Sequence, residues 1–373
     1  MCNILETNVL IIGKSGVGKS SLLNYIFNEN LMKTGTGRPV TEKGIFTEKL
    51  SVSEEFIVNL SDTWGLEANK AEEWEQLIKN EVKKHDYEKI SSWFHTIIFC
   101  ISAKSARVEE FEKNIIKSLM DEGNKVIIAL THSDVNNVEN AIEKMSKEFN
   151  KIGVEENSII KVCSIGKKLL GGRKTQTFGR EEILNNIKGN LWEIICDKLP
   201  NIVDKLIDEN VEGWLNECYK YVDEKVKFYN VQSNKNLEDI NNYIRSRLDY
   251  KMNNLNNGLK ERYYEAYNYY FNLIKKYQLI STKGFVESNY NFNFNFNIDI
   301  IDKLLGNIFG FMSLIIPSVN LFNEKSLVEI RKTEINERLS SYGNNIVEEL
   351  KKKNREQIKE MKKYAIVLPV TTL

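Results

Sequence analysis

Residues 13–20 read Gly13-Lys14-Ser15-Gly16-Val17-Gly18-Lys19-Ser20 and match G-x-x-x-x-G-K-[ST] at every fixed position. This spacing serves the binding of a polyphosphate and its magnesium ion. Gly13, Gly16 and Gly18 let the backbone turn tightly and aim N–H groups at phosphate oxygens, with Lys14, Ser15 and Val17 in the same cradle. A helix starting near Lys19 adds the positive end of its dipole. Lys19 is expected to contact the β- and γ-phosphates and Ser20 to bind Mg²⁺ through its hydroxyl; Ser21 belongs to the same contact set. These residues specify a nucleoside triphosphate but not its base.

A second element, Asp62-Thr63-Trp64-Gly65, fits D-x-x-G after the strand-like run 56–60. Asp62 is expected to hold Mg²⁺ through water and the Gly65 amide to sense the γ-phosphate. Between the two elements lies the turn-rich stretch 35–41. Here Thr41 is chosen to complete the Mg²⁺ shell and order a switch loop when the γ-phosphate is present, with Thr36 and Thr47 as competitors. The metal set is thus Ser20, Thr41 and Asp62, and the catalytic set Lys19, Ser20, Thr41 and Gly65.

The base reader is sought after the apolar run 126–130, at Thr131-His132-Ser133-Asp134. A carboxylate there can accept from both N1–H and the N2 amino group of guanine, a donor pair that adenine lacks. Asp134 would then select GTP over ATP, with His132 lying along the base and Thr131 beside it. The competing role for Asp134 is to cap a helix starting near residue 136. After the last strand, Ser164-Ile165 stands where a loop amide can donate to guanine O6.

In this order the elements resemble the translation-factor-related P-loop GTPases, in the branch of Era-like, septin-like and dynamin-like proteins. The resemblance rests on residues 13–20, Thr41, 62–65, 131–134 and, loosely, 164–165, and covers residues 1–200. It implies GTP and GDP as substrate and ligand, Mg²⁺ as cofactor and GTP hydrolysis as the activity. The layout with a helical second half is similar to dynamin-like and immunity-related GTPases. Three positions depart from the pattern: Trp64 where many relatives carry Pro, His132 where Lys is usual, and Leu66 where small GTPases carry the water-orienting Gln. Leu66 has no amide to place water, so the resemblance implies slow hydrolysis unless dimerisation across the nucleotide face supplies another group. Arg38 and Arg107 are weighed as arginine fingers, with a plain surface role favoured for each.

The elements that must position these residues follow from periodicity. Short apolar runs at 8–12, 46–52, 56–60, 96–101, 126–130 and 159–163 alternate with amphipathic stretches at 19–27, 70–93, 108–122, 136–150 and 180–199. That alternation predicts an α/β P-loop GTPase domain with a mostly parallel sheet over 1–199. After Pro200 the strand signal fades, and apolar stripes at steps of three and four take over. One runs from Val203 through Trp214 to Tyr229, a second from Ile240 to Tyr277 and a third from Ile335 to Leu350. They predict an elongated all-α bundle or stalk over 200–373, with an apolar segment at 298–323.

Composition narrows the partners. Lys+Arg and Asp+Glu are both 52, so no global field draws the chain to nucleic acid, which is not expected as a partner. The five cysteines form no C-x-x-C pair, so neither a disulfide framework nor a zinc site is expected and a reduced, cytoplasmic location is. No secretory leader is read at the N-terminus. Residues 304–322 carry no charged side chain and follow the Tyr/Phe–Asn alternation at 290–296. The segment 290–322 reads either as a membrane-touching tip, which would make the protein peripheral at a membrane, or as a buried helix; the second is slightly favoured.

Two functions follow. One is an Mg²⁺-dependent, slow GTP hydrolase whose nucleotide state controls homodimerisation and the helical domain. The other is a non-catalytic GTP-loaded switch that recruits a protein partner through its helices.

Overall fold

The computed structural model describes residues 5–27, 45–53, 56–63, 71–135, 138–166, 176–231, 233–280 and 324–363. Thr36, Arg38, Thr41, Trp64, Gly65, Leu66 and the segment 290–322 lie outside the described residues. The strands are β1 (Leu5–Gly13), β2 (Ile45–Ser53), β3 (Phe56–Thr63), β4 (Thr96–Ser102), β5 (Val126–Thr131) and β6 (Ile159–Lys161). The helices are α1 (Lys19–Phe27), α2 (Ala71–Asp86), α3 (Glu110–Asp121), α4 (Glu139–Lys151), α5 (Arg180–Lys225), α6 (Asn234–Ile280) and α7 (Glu324–Lys363).

The strands form one sheet in the order β2-β3-β1-β4-β5-β6. All neighbouring pairs are parallel except β2 with β3. Alternate residues of each strand serve opposite faces, as the pleat requires. Val9, Ile11, Val58, Leu60, Ile98 and Ile127 pack with Leu22, Leu23 and Ile26 of α1 and with Ile183 and Ile187 of α5. Leu10, Ile12, Ile97, Phe99, Ile128 and Leu130 pack with Ile78 of α2, Ile116 of α3 and Met145 and Phe149 of α4. Burial on both faces explains why these runs read as unbroken hydrophobic stretches.

Several boundaries differ from the sequence reading for physical reasons. The helix expected over 70–93 stops at Asp86, because the chain turns to bury Trp93 and His95 at 0% and 1% exposure. The strand expected over 159–163 ends at Lys161, and Cys163 instead pairs antiparallel with Phe178. The helix expected to end at 199 continues through Pro200 to Lys225. Proline removes one helical donor, but Leu199, Ile202, Val203 and Ile207 stay buried on both sides of it, and that burial outweighs the lost bond.

The chain divides into two compact units. The first contains the sheet domain up to Leu199 and also 265–280 of α6. There Glu265 Oε1 accepts the Ile90 N–H at 2.7 Å, and Leu273 is buried in the core shared with α1 and α5. Tyr269 stacks on His95 with ring centroids 5.5 Å apart, its hydroxyl 3.0 Å from His95 Nε2.

The second unit contains 200–264 and 324–363 and is helical. Val203, Ile207, Val211, Trp214, Cys218 and Val222 are buried along α5, as expected, and so are Ile240 through Tyr263 on the α6 stripe and Ile335, Leu339, Ile346 and Leu350 on α7. Tyr229, expected at the end of the first stripe, is instead 85% exposed: the helix ends at Lys225 and a short 3-10 turn carries the ring away from the core. Among the described residues no helix is long and apolar enough to cross a membrane.

Candidate nucleotide-binding site

The parallel register brings the ends of β1, β3 and β5 together, and each carries one expected element. The turn after β1 lies between the strand and α1, which starts at Lys19. Gly16 and Gly18 adopt φ of 77° and 98°, left-handed values that glycine takes without strain. Gly13 must be glycine for another reason: a Cβ there would sit 2.5 Å from the Cys100 carbonyl oxygen on β4. Around Gly16 a Cβ would meet nothing within 4 Å among the described residues, at the place where phosphates are expected.

Lys19 is buried, and its ammonium donates to the carbonyls of Gly13 (2.8 Å) and Lys14 (3.2 Å). Burial lowers its pKa, and the nearby Asp62 carboxylate pulls it back up. Asp62, on β3 opposite Ile11, is 1% exposed. Burial pushes its carboxyl up to about 6, against the opposing pull of Lys19. Asp62 Oδ1 is fully buried with no hydrogen-bond partner among the described residues. A buried acceptor left open beside a buried ammonium at a phosphate loop fits a water-coated divalent cation. The donor set available for Mg²⁺ is oxygen-only, as that ion requires: Asp62 and Ser20, which lies in the first turn of α1.

Thr47, one competitor for the switch threonine, is on β2, and its Oγ1 lies 2.9 Å from Ser61 Oγ. That placement commits its hydroxyl to the sheet. Gly65 and Thr41 lie outside the described residues.

At the end of β5, Thr131 Oγ1 donates to the Val17 carbonyl at 2.5 Å, so its hydroxyl ties the phosphate loop to the sheet. His132 has φ of 56°, and its ring lies against Gly18: a Cβ there would be 3.3 Å from His132 Cε1. The imidazole Nδ1 lies 3.1 Å from Ser102 Oγ and 3.3 Å from Thr131 Oγ1. Ser133 closes the turn, its N–H donating to the Val162 carbonyl (3.1 Å) and its hydroxyl to Leu130 (2.6 Å). Asp134 follows this turn, and α4 begins at Glu139 with Val138 at its N-cap, so Asp134 does not cap that helix. Ser164 and Ile165 follow Cys163, whose Sγ–H donates to the Ile165 carbonyl at 3.5 Å, and Ile165 is 63% exposed.

The structure adds contacts that the motifs did not predict. Lys14 forms ion pairs with Glu109 (2.9 Å) and Glu112 (3.1 Å) and lies over the Phe111 ring at 5.0 Å. Glu109 is not one of the residues that open a capping-box signature, so no local sequence pattern announces these contacts. Arg107, 77% exposed, pairs with Glu109 at 3.7 Å, on the same rim as the phosphate loop.

Residues 8–132 match the family described as 50S ribosome-binding GTPase. The tRNA modification GTPase MnmE of Thermotoga sp. (strain RQ2) is 25% identical over 226 residues, covering 58% of this chain and 43% of that protein. GTPase Der of Mycoplasma capricolum subsp. capricolum is 30% identical over 208 residues, covering 54% and 44%. The chain thus spans less than half the length of these curated relatives. Among solved structures, Toc33 from Arabidopsis thaliana in complex with Mg²⁺ and GMPPNP is 20% identical, with a TM-score of 0.36, over 52% of this chain and 85% of that one. Over residues 8–132, then, this chain is similar to the P-loop GTPases of the 50S ribosome-binding GTPase family.

Proposed function

We propose that this chain binds GTP with Mg²⁺ and hydrolyses it slowly, and that its nucleotide state governs homodimerisation and the helical region. The observation that carries this reading is the convergence of Lys19, the open Asp62 carboxylate and the left-handed Gly16–Gly18 turn on one end of the sheet. In this reading the loop amides and Lys19 bind and orient the phosphates, and Asp134 reads the guanine edge. Ser20, Asp62 and Thr41 would hold Mg²⁺, which when bound neutralises charge on the phosphate oxygens. Thr131 keeps the phosphate loop registered to the base-reading turn. Leu66 supplies no group to orient water, so turnover is slow in one copy and rises when a second copy faces the site. Arg107, exposed and paired with the same Glu109 that holds Lys14, is a candidate to reach across such a face in this reading. The Era-like or dynamin-like branch, a reduced cytoplasmic location and membrane contact through 290–322 belong to this same reading.

Leu66 also supports a second reading, a GTP-loaded switch that recruits a protein through its helices. GTP turnover measured over a wide range of protein concentration separates the two. Specific activity that climbs with concentration supports dimer-stimulated hydrolysis. Equal activity at all dilutions removes the dimer, and no GDP after prolonged incubation favours the switch.

A further inference from the structure

Between the base-reading turn and the phosphate loop runs the segment from the end of β4 into α3, residues 102–112, which none of the nucleotide motifs contains. It is built to hold one shape. Ser105 Oγ donates to the Ser102 carbonyl (2.7 Å) and the Arg107 carbonyl (3.0 Å), and Ala106 takes a left-handed φ of 53°. A capping box follows, in which the Glu112 carboxylate accepts the Glu109 N–H at 2.9 Å.

Each end of this segment touches a different part of the nucleotide site. At its start, Ser102 Oγ lies 3.1 Å from Nδ1 of His132, whose ring rests on Gly18. At its end, Glu112 and Glu109 grip the ammonium of Lys14, the second residue of the phosphate loop. Glu112 is 2% exposed. One of its oxygens is used by the cap, and the other meets Lys14. Helix capping needs only the first of these contacts. A buried carboxylate with a matched cation is costly to leave half-made, so the pair fixes the loop residue in place. We infer that segment 102–112 is a positioning element of the nucleotide site, in which Ser102 orients His132 and Glu112 immobilises Lys14 before the phosphates arrive.

The inference rests on the GTP reading above and deepens it. It names residues that touch no nucleotide yet set how well the two loops that do are held. Preorganisation of this kind shows in affinity, because the cost of ordering the loops would otherwise fall on binding.

The test is titration of fluorescent GDP with Mg²⁺ into wild type, Glu112→Gln, Lys14→Gln, the double variant, Ser102→Ala and Ser102→Thr, with melting temperature read without nucleotide. Glu112→Gln should raise the Kd about tenfold, in line with loss of a charged contact. Lys14→Gln, which breaks the same pair from its more exposed side, should do likewise, and the double variant should be no worse than either single one. Ser102→Ala should raise the Kd by about threefold, and Ser102→Thr should restore it. Unchanged Kd in folded Glu112→Gln and Ser102→Ala, or additive losses in the double variant, would overturn the inference while leaving GTP binding intact. Should Glu112→Gln fail to fold, Lys14→Gln and Ser102→Ala still decide. A wild-type chain that binds no guanine nucleotide would instead remove the GTP reading and this inference with it.

Discussion

Two buried polar clusters lie at opposite ends of the same sheet, and they are finished differently. At the carboxyl ends of the strands, Lys19 and Asp62 are charged groups under desolvation, and Asp62 Oδ1 has no protein partner among the described residues. At the amino end, every contact of the Asn8–His95 cluster is supplied from within the chain. The Asn8 N–H donates to His95 Nδ1 (3.0 Å), and the His95 N–H returns a bond to the Asn8 carbonyl (2.9 Å). The Asn8 side chain donates to Ser91 and Trp93 carbonyls and accepts from Asn59, while α6 closes the cluster with Tyr269. One cluster keeps an acceptor without a protein partner among the described residues; the other is completed from within the chain. Burial of polar groups alone does not mark a site, and neither does an open acceptor by itself; the open end is distinguished by an open carboxylate beside a buried ammonium at a glycine-rich turn.

Mutation should separate the two ends. The largest effect is expected at the open end: Lys19→Ala should weaken GTP binding about a hundredfold or more, since a charge-assisted contact to phosphate is lost, with little change in melting temperature. Nucleotide titration beside thermal unfolding checks both parts. At the closed end the sign is reversed: His95→Gln should lower stability by about 2 kcal/mol, in the range for breaking a buried hydrogen-bond network.

The pH dependence sharpens the same contrast. Burial, reinforced by nearby Lys198, pushes the His95 pKa down to about 4, although its bond to Ile90 opposes the shift. Below its ordinary value of 6.5 the unfolded chain binds a proton that the folded chain resists. The His95 contribution is therefore complete above about pH 6.5 and is lost as pH falls towards 4. It corresponds to about 3 kcal/mol from that shift. Melting temperatures across this range should fall more steeply for wild type than for His95→Gln. The smallest effect is expected for Tyr269→Phe, which removes one hydroxyl while keeping the stacked ring. Denaturant unfolding should register a loss of about 1 kcal/mol.

Much of the open end was legible in the sequence because its chemistry is local. The 13–20 pattern needs only a strand before it and a helix after it, and α1 spans Lys19–Phe27 as expected. Asp62 and Asp134 are singled out the same way, each just past an apolar run. What was not legible depends on contacts between distant residues. Thr131 is drawn to the Val17 carbonyl, a pairing that no spacing announces. Glu112 belongs to none of the nucleotide motifs, and its contact with Lys14 depends on the fold bringing the two together. Pro200 reads as a helix stop because its local cost is visible, whereas the flanking buried side chains that override it are a tertiary fact. For the same reason, the stretch 265–280 belongs to the sheet unit although its periodicity continues the helical stripe.

The open end of the sheet is proposed to be a guanine-nucleotide site. Titrating GDP and ADP, each with Mg²⁺, into wild type and Asp134→Asn tests it most directly. Wild type should bind GDP and not ADP, and Asp134→Asn should lose about tenfold or more of its GDP affinity because a charged acceptor of two hydrogen bonds is gone. Equal affinity for the two nucleotides, or GDP binding unchanged in Asp134→Asn, would contradict it.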